Sequence, residues 1–149
     1  MAEQSRYGLP VSLVDSNDSS SFATIVDGKL SVSNADFVTG DIVNNYDSDV
    51  VPADGSATTI SSYTVSAGKK LLLKSVQASS SSGPVKLEIY QDTNLLATTF
   101  LSAFNPSAQI SFDPGFVANA TESIICKAYN NSGQVQTVYA TIMGFIASV

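Results

Sequence analysis

The sequence predicts an all-β protein: an antiparallel β-sandwich, jelly-roll-like, carrying an extended N-terminal arm. Three observations predict it. Short runs of β-type residues recur, each followed by turn chemistry, and no helical period is visible. Only 13% of residues are charged against 44% hydrophobic, with Ser, Thr, Asn and Gln taking up the difference; that is about half the roughly 25% charge of an ordinary soluble domain. The acids, finally, are gathered at one end. Residues 1–62 hold nine acids against Arg6 and Lys29, whereas residues 63–149 hold four acids against five lysines. The two parts are different kinds of chain.

Residues 1–46 read as the arm. Leu9-Pro10-Val11-Ser12-Leu13-Val14 is short and extended, because Pro10 disfavours a helix there. After the polar stretch Asp15 to Ser21 come Phe22-Ala23-Thr24-Ile25-Val26, the pair Asp27-Gly28, and Lys29-Leu30-Ser31-Val32, a hairpin signal. Phe37-Val38 and Ile42-Val43 offer one more extended piece. Large apolar residues are too sparse for this part to build a core of its own. Residues 47–62 combine Pro52, Asp54-Gly55 and small polar residues and read as a linker.

The sandwich is expected over residues 63–149, with six or seven strands. Tyr63-Thr64-Val65 precedes a turn at Ser66-Ala67-Gly68, and Lys70 to Ala78 is a long β-type run. Ser79 to Pro84 is a turn, after which Val85, Leu87 and Ile89 alternate with Lys86, Glu88 and Tyr90 as a half-buried strand. Asp92-Thr93-Asn94 turns the chain and Leu95 to Leu101 returns. Ala108, Ile110 and Phe112 alternate until Asp113-Pro114-Gly115, which is expected to end that strand. Ser123 to Tyr129 is another strand, Asn130-Asn131-Ser132-Gly133 a hairpin-type turn, and Gln134 to Ala147 the last run.

Composition speaks against most enzyme classes. The chain has no histidine, which removes the commonest general base, the commonest zinc ligand and the Ser-His-Asp and Cys-His constellations together. No enzymatic activity, cofactor or metal is expected. The single cysteine, Cys126, follows Ile124-Ile125 and reads as a small buried hydrophobe. Asp47 with Asp49, and Asp15 with Asp18, are the carboxylate pairs to weigh. Both are expected in polar loops without the closer spacing and terminal Glu of a calcium loop, and read as solvated acids. Lys69, Lys70 and Lys74 beside Gly68 lack the glycine-rich pattern of a phosphate loop. The three Asn-x-Ser/Thr sequons read as chance matches in a chain rich in those residues. A net charge of −6 argues against a nucleic-acid partner. No apolar run is long enough for a membrane helix, so no membrane partner is expected either. Residues 1–6 carry no basic region followed by an apolar one, so synthesis as a soluble intracellular product is expected.

The last run points outward. Val138, Ala140, Ile142, Gly144 and Ile146 fall on one face and Tyr139, Thr141, Met143 and Phe145 on the other, so both faces are apolar or nearly so. A sandwich strand ordinarily wets one face. Tyr139, Met143 and Phe145 are therefore expected at a subunit interface, with cover by the arm as the alternative.

Tyr63-Thr64-Val65-Ser66-Ala67-Gly68-Lys69-Lys70-Leu71 resembles the Tyr-Thr-Val-Pro-Ala-Gly-Lys-x-Leu segment at the start of β-domains in tailed-phage virion proteins, with Ser66 where Pro is usual. The Ser79–Pro84 turn followed by Val85-Lys86-Leu87-Glu88-Ile89 looks like the same kind of domain. Tyr7-Gly8-Leu9-Pro10-Val11 and Val26-Asp27-Gly28-Lys29-Leu30 resemble pieces of phage head accessory proteins. The resemblance implies a virion structural protein, specifically a capsid decoration (cement) protein. It would be a homotrimer on the outer capsid surface with the major capsid protein as partner. Leu9, Val11, Leu13, Phe22 and Ile25 would then be the capsid-binding residues of the arm. The alternative is a receptor- or glycan-binding module of a head fibre or tail; Tyr90, Tyr129 and Tyr139, on expected strands, are the aromatics to weigh for a sugar platform, with core or interface packing as the preferred reading of them.

Overall fold

The computed structural model describes the backbone of residues 13–15, 18–26 and 29–33, and residues 41–148 with their side chains. The chain divides into two compact units, Met1–Thr39 and Gly40–Val149.

In the first unit, β1 (Leu13–Asp15), β2 (Asp18–Val26) and β3 (Lys29–Ser33) form an antiparallel sheet in the order β1-β2-β3. Val26 stands opposite Lys29, which leaves two residues for the link, as Asp27-Gly28 predicts. The arm is thus not a single extended strand. Phe22 and Ala23 are paired on both sides, with Val14 and Leu13 of β1 and with Ser33 and Val32 of β3.

The second unit is all-β, with β4 (Asp41–Val51), β5 (Ala57–Thr64), β6 (Lys69–Ser80), β7 (Val85–Gln91), β8 (Asn94–Leu101), β9 (Ser107–Ala118), β10 (Ser123–Tyr129) and β11 (Gln136–Ser148). They make two antiparallel four-stranded sheets, β4-β11-β6-β9 and β5-β10-β7-β8. Every connection but one carries the chain from one sheet to the other. The exception is the hairpin β7–β8, where Gln91 faces Asn94 across Asp92-Thr93. This order is that of an eight-stranded jelly roll.

The core lies between the sheets. Leu71, Leu73 and Val76 of β6 and Val138 and Ile142 of β11 meet Leu87 and Ile89 of β7 and Ile124 and Cys126 of β10, all buried. Burial pushes the Cys126 thiol up to about 12, so it is the inert hydrophobe its neighbours suggested.

Three expectations are corrected. Residues 47–62 are not a linker: they hold the second half of β4 and most of β5, and Val51 and Ile60 are core residues. Only Pro52 to Ser56 turns, with the Asp54 carboxylate accepting from Ser56 N at 2.9 Å and Gly55 at φ 77°. The boundary between the two units accordingly falls at Thr39–Gly40, not at residues 46–62. Ser and Thr, read as linker composition, are compatible with strands whose outer face is wet. Second, β9 does not end at Asp113-Pro114-Gly115. Its register jumps from Ser75↔Ser111 to Leu73↔Phe116, so the segment bulges out and the strand resumes. An edge strand tolerates Pro at a bulge because no ladder bond is lost. Third, Asn130 to Gly133 is not a hairpin, since β10 and β11 lie in different sheets. Asn130 is buried there and donates to the carbonyls of Val51 at 3.1 Å and Gln134 at 2.7 Å.

Candidate binding surfaces

β11 is an interior strand of its sheet, and its alternation is as the sequence indicates: Val138, Ala140, Ile142 and Ile146 are buried and Tyr139, Met143 and Phe145 face outward. The outer face is organised in rows set by the register. Ile42 pairs with Phe145, Phe145 with Leu72, and Leu72 with Val117, so one apolar row crosses all four strands. Ile42 is 78% exposed, Val117 41% and Phe145 38%. Met143 lies beside this row, and a shallow apolar hollow there is lined by Ile42, Asn44, Lys74, Met143 and Phe145.

Tyr139 belongs elsewhere. It stands six residues from Phe145 along the strand, ~20 Å at strand rise. Its ring stacks on Tyr46 of β4, with centroids 6.5 Å apart and planes at 17°. A groove of about 430 Å³ opens beside this pair over β6 and β9. The three residues expected at one interface are therefore divided between two patches of one sheet face.

Of the arm residues, Leu9 and Val11 lie outside the described residues. Leu13 falls in β1, and Phe22 and Ile25 fall in β2. Asp47 and Asp49 lie on β4 rather than in a loop, and each accepts from the backbone N–H of the next residue, at 2.8 and 2.7 Å. Asp15 and Asp18 are opposite one another where β1 meets β2. Among the described residues no group of three His, Cys, Asp or Glu side chains is placed to hold a metal.

The other sheet turns a different face outward. Lys86, Glu88 and Tyr90 of β7 meet Lys127 and Tyr129 of β10. Glu88 accepts from the Tyr90 hydroxyl at 2.5 Å and pairs with Lys86 at 3.0 Å. Lys86 Nζ sits 4.1 Å from the Tyr129 ring centroid and Lys127 Nζ 4.9 Å from that of Tyr90. The Tyr90 hydroxyl, and after it Lys86, pulls the Glu88 carboxyl down to about 2; the same bond pushes the Tyr90 phenol up. Tyr90 and Tyr129 are thus engaged with cations and a carboxylate, and do not form a free aromatic platform.

Sequence reasoning missed Ile42, Tyr46, Leu72 and Val117. The signal for the first two was present in β4, where Ile42, Asn44, Tyr46, Ser48 and Val50 alternate, but the division at residue 46 cut that strand in two.

No protein-family model matches the sequence, and no curated protein matches it. Among solved structures, the chain is similar to one in "Structure of infectious bursal disease virus Gt strain": 12% identity, 84% of this chain, 38% of the other, TM-score 0.35. A chain in "Structure of infectious bursal disease virus Gx strain" gives 11%, 86%, 44% and 0.35. This chain spans less than half the length of either. Likeness at that level carries no argument about function; the class of the molecule, a jelly-roll β-sandwich, rests on its own strand order.

Proposed function

We propose that this protein is a structural component of a virus particle, a capsid decoration (cement) protein that binds the outer capsid surface and stabilises it. The observation that carries the reading is the outward apolar row Ile42–Phe145–Leu72–Val117 with Met143 beside it. Burying Ile42, which is 78% exposed, against another subunit would contribute roughly 1.5–3 kcal/mol, and Phe145, already more than half covered, a smaller share. A solvated sheet face gives no reason to place four apolar residues in register; a homo-oligomeric contact does. The resemblance of Tyr63–Leu71 to phage virion β-domains supports a trimer and the major capsid protein as partner. Residues 1–39, with their acidic composition, would supply the capsid contacts. Several weak sites engaged together then hold by avidity. The reading assigns the chain no catalysis.

Two measurements test it. Light scattering of purified protein is expected to give an oligomer, and Phe145→Glu is expected to give the monomer mass with an unchanged far-UV spectrum. Purified protein added to capsids lacking it is expected to bind at high copy number. A monomeric wild type removes the oligomer, and absence of capsid binding removes the decoration role.

A further inference from the structure

The groove beside Tyr46 and Tyr139 has a chemistry of its own. Two adjacent rows of the sheet build it. One runs Tyr46–Thr141–Gln77–Gln109 and the other Ser48–Tyr139–Ser79–Ser107. The trough has a steric cause: two phenol rings stand on β4 and β11 while serines follow in register on β6 and β9. Four strands at their usual spacing make it ~14 Å across, long enough for an oligosaccharide rather than a single ring.

No charged side chain lines it. Gln77 Nε2 donates to Gln109 Oε1 at 3.2 Å, and Gln109 Nε2 to Ser111 Oγ at 3.4 Å. That chain fixes both amides and leaves the Gln77 oxygen open. The hydroxyls of Ser79, Ser107 and Thr141 have no protein partner among the described residues. The groove thus offers amide and hydroxyl groups that both donate and accept, an aromatic pair at one end, and no charge. Small-ligand sites combine apolar surface with a few placed polar groups in this way. A nucleotide or an anionic sugar would want a cation here, and an apolar peptide would leave the amides unpaired.

We propose that this groove binds a neutral oligosaccharide, with Tyr46 and Tyr139 against the apolar face of a sugar ring and Gln77, Gln109 and Ser107 hydrogen-bonding its hydroxyls. The site is independent of the apolar row at the other end of the sheet, and stands whether or not the protein decorates a capsid.

Amide NMR of the full chain, titrated with maltotriose, cellotriose and lactose at millimolar concentration, tests it. At least one sugar is expected to shift Gln77, Gln109 and Tyr139 resonances together, with sialyllactose shifting them less than lactose. Tyr46→Ala, at a 62% exposed position that the core does not need, is expected to weaken that binding at least tenfold while the melting temperature holds. Gln109→Ala is expected to do the same, whereas Phe145→Glu is expected to leave the sugar affinity unchanged. No shift with any neutral sugar, shifts elsewhere on the surface, an equal response to sialyllactose, or unaltered affinity in both groove variants would overturn the proposal.

Discussion

Gln136 is only 2% exposed, yet its amide is not stranded. Its oxygen accepts from Ser82 N at 3.1 Å and from the hydroxyls of Ser82 at 3.0 Å and Ser81 at 3.3 Å, and its nitrogen donates to Ser132 Oγ at 3.4 Å. The serine-rich turn that looks like loop filler in the sequence is the hydrogen-bonding collar of this residue. Gln136→Ala is expected to cost about 1–3 kcal/mol, since it removes a buried amide that accepts from Ser82 N and from the Ser80, Ser81 and Ser82 hydroxyls, and leaves buried Ser80 without that acceptor; a urea denaturation curve measures it. Glu88 makes a prediction of the opposite kind, about charge. Its carboxyl sits at about 2 in the folded chain against an ordinary 4.5. The pair's contribution to stability is therefore full above pH 4.5 and is lost as pH falls from there through about 2. The side-chain carboxyl resonance is expected to titrate near 2, and Glu88→Gln to flatten the acid limb of the stability profile. A midpoint at the ordinary value would show the Tyr90 and Lys86 contacts to be absent in solution.

At the scale of elements, β4 decides where the chain can be cut. It pairs with β11 from Asp41↔Ile146 to Val51↔Gln136, and Val43 and Val51 are both buried. Removing residues 1–39 is expected to leave the sandwich's melting temperature within a few degrees of the full chain. Removing residues 1–46 takes away half of β4, the Val43 side chain and the Tyr46 partner of Tyr139. Loss of one buried aliphatic side chain alone costs about 2–5 kcal/mol, so the shorter fragment is expected to melt well below the longer one. Equal melting of the two would mean that β4 contributes nothing before Asp47. On β11, Gly144 is a glycine because a Cβ there would press on the Leu72 carbonyl of β6, at the bulge between Met143 and Gly144.

At the scale of the whole molecule, one sheet face carries two patches that no single partner need cover. The row at Phe145 and the nearest groove row at Thr141 are four residues apart on β11, ~13 Å at strand rise, far enough for effects at Phe145 and Tyr46 to be additive. Combining Phe145→Glu with Tyr46→Ala is expected to give a monomer with weakened sugar binding, each loss equal to that of its single variant. A non-additive result, read from mass and titration together, would make the two patches one surface.

The alternation in β6, β7, β10 and β11 was enough to read an all-β sandwich, its inward residues and the outward set Tyr139, Met143 and Phe145, because a pleated strand sorts side chains by parity alone. Cys126 was legible as a buried hydrophobe from the apolar run Ile124-Ile125 that precedes it. Strand pairing was not, since register joins residues as distant as Val51 and Gln136, and parity within one strand says nothing about its neighbour. So the sequence could not set Tyr46 against Tyr139 or put Ile42, Phe145, Leu72 and Val117 in one row. It also could not see that a Ser/Thr-rich stretch, weak by composition, becomes β4 and β5 once its few apolar residues have two sheets to be buried between. Local chemistry determined what each strand presents; only the jelly-roll pairing decided what those side chains are presented beside.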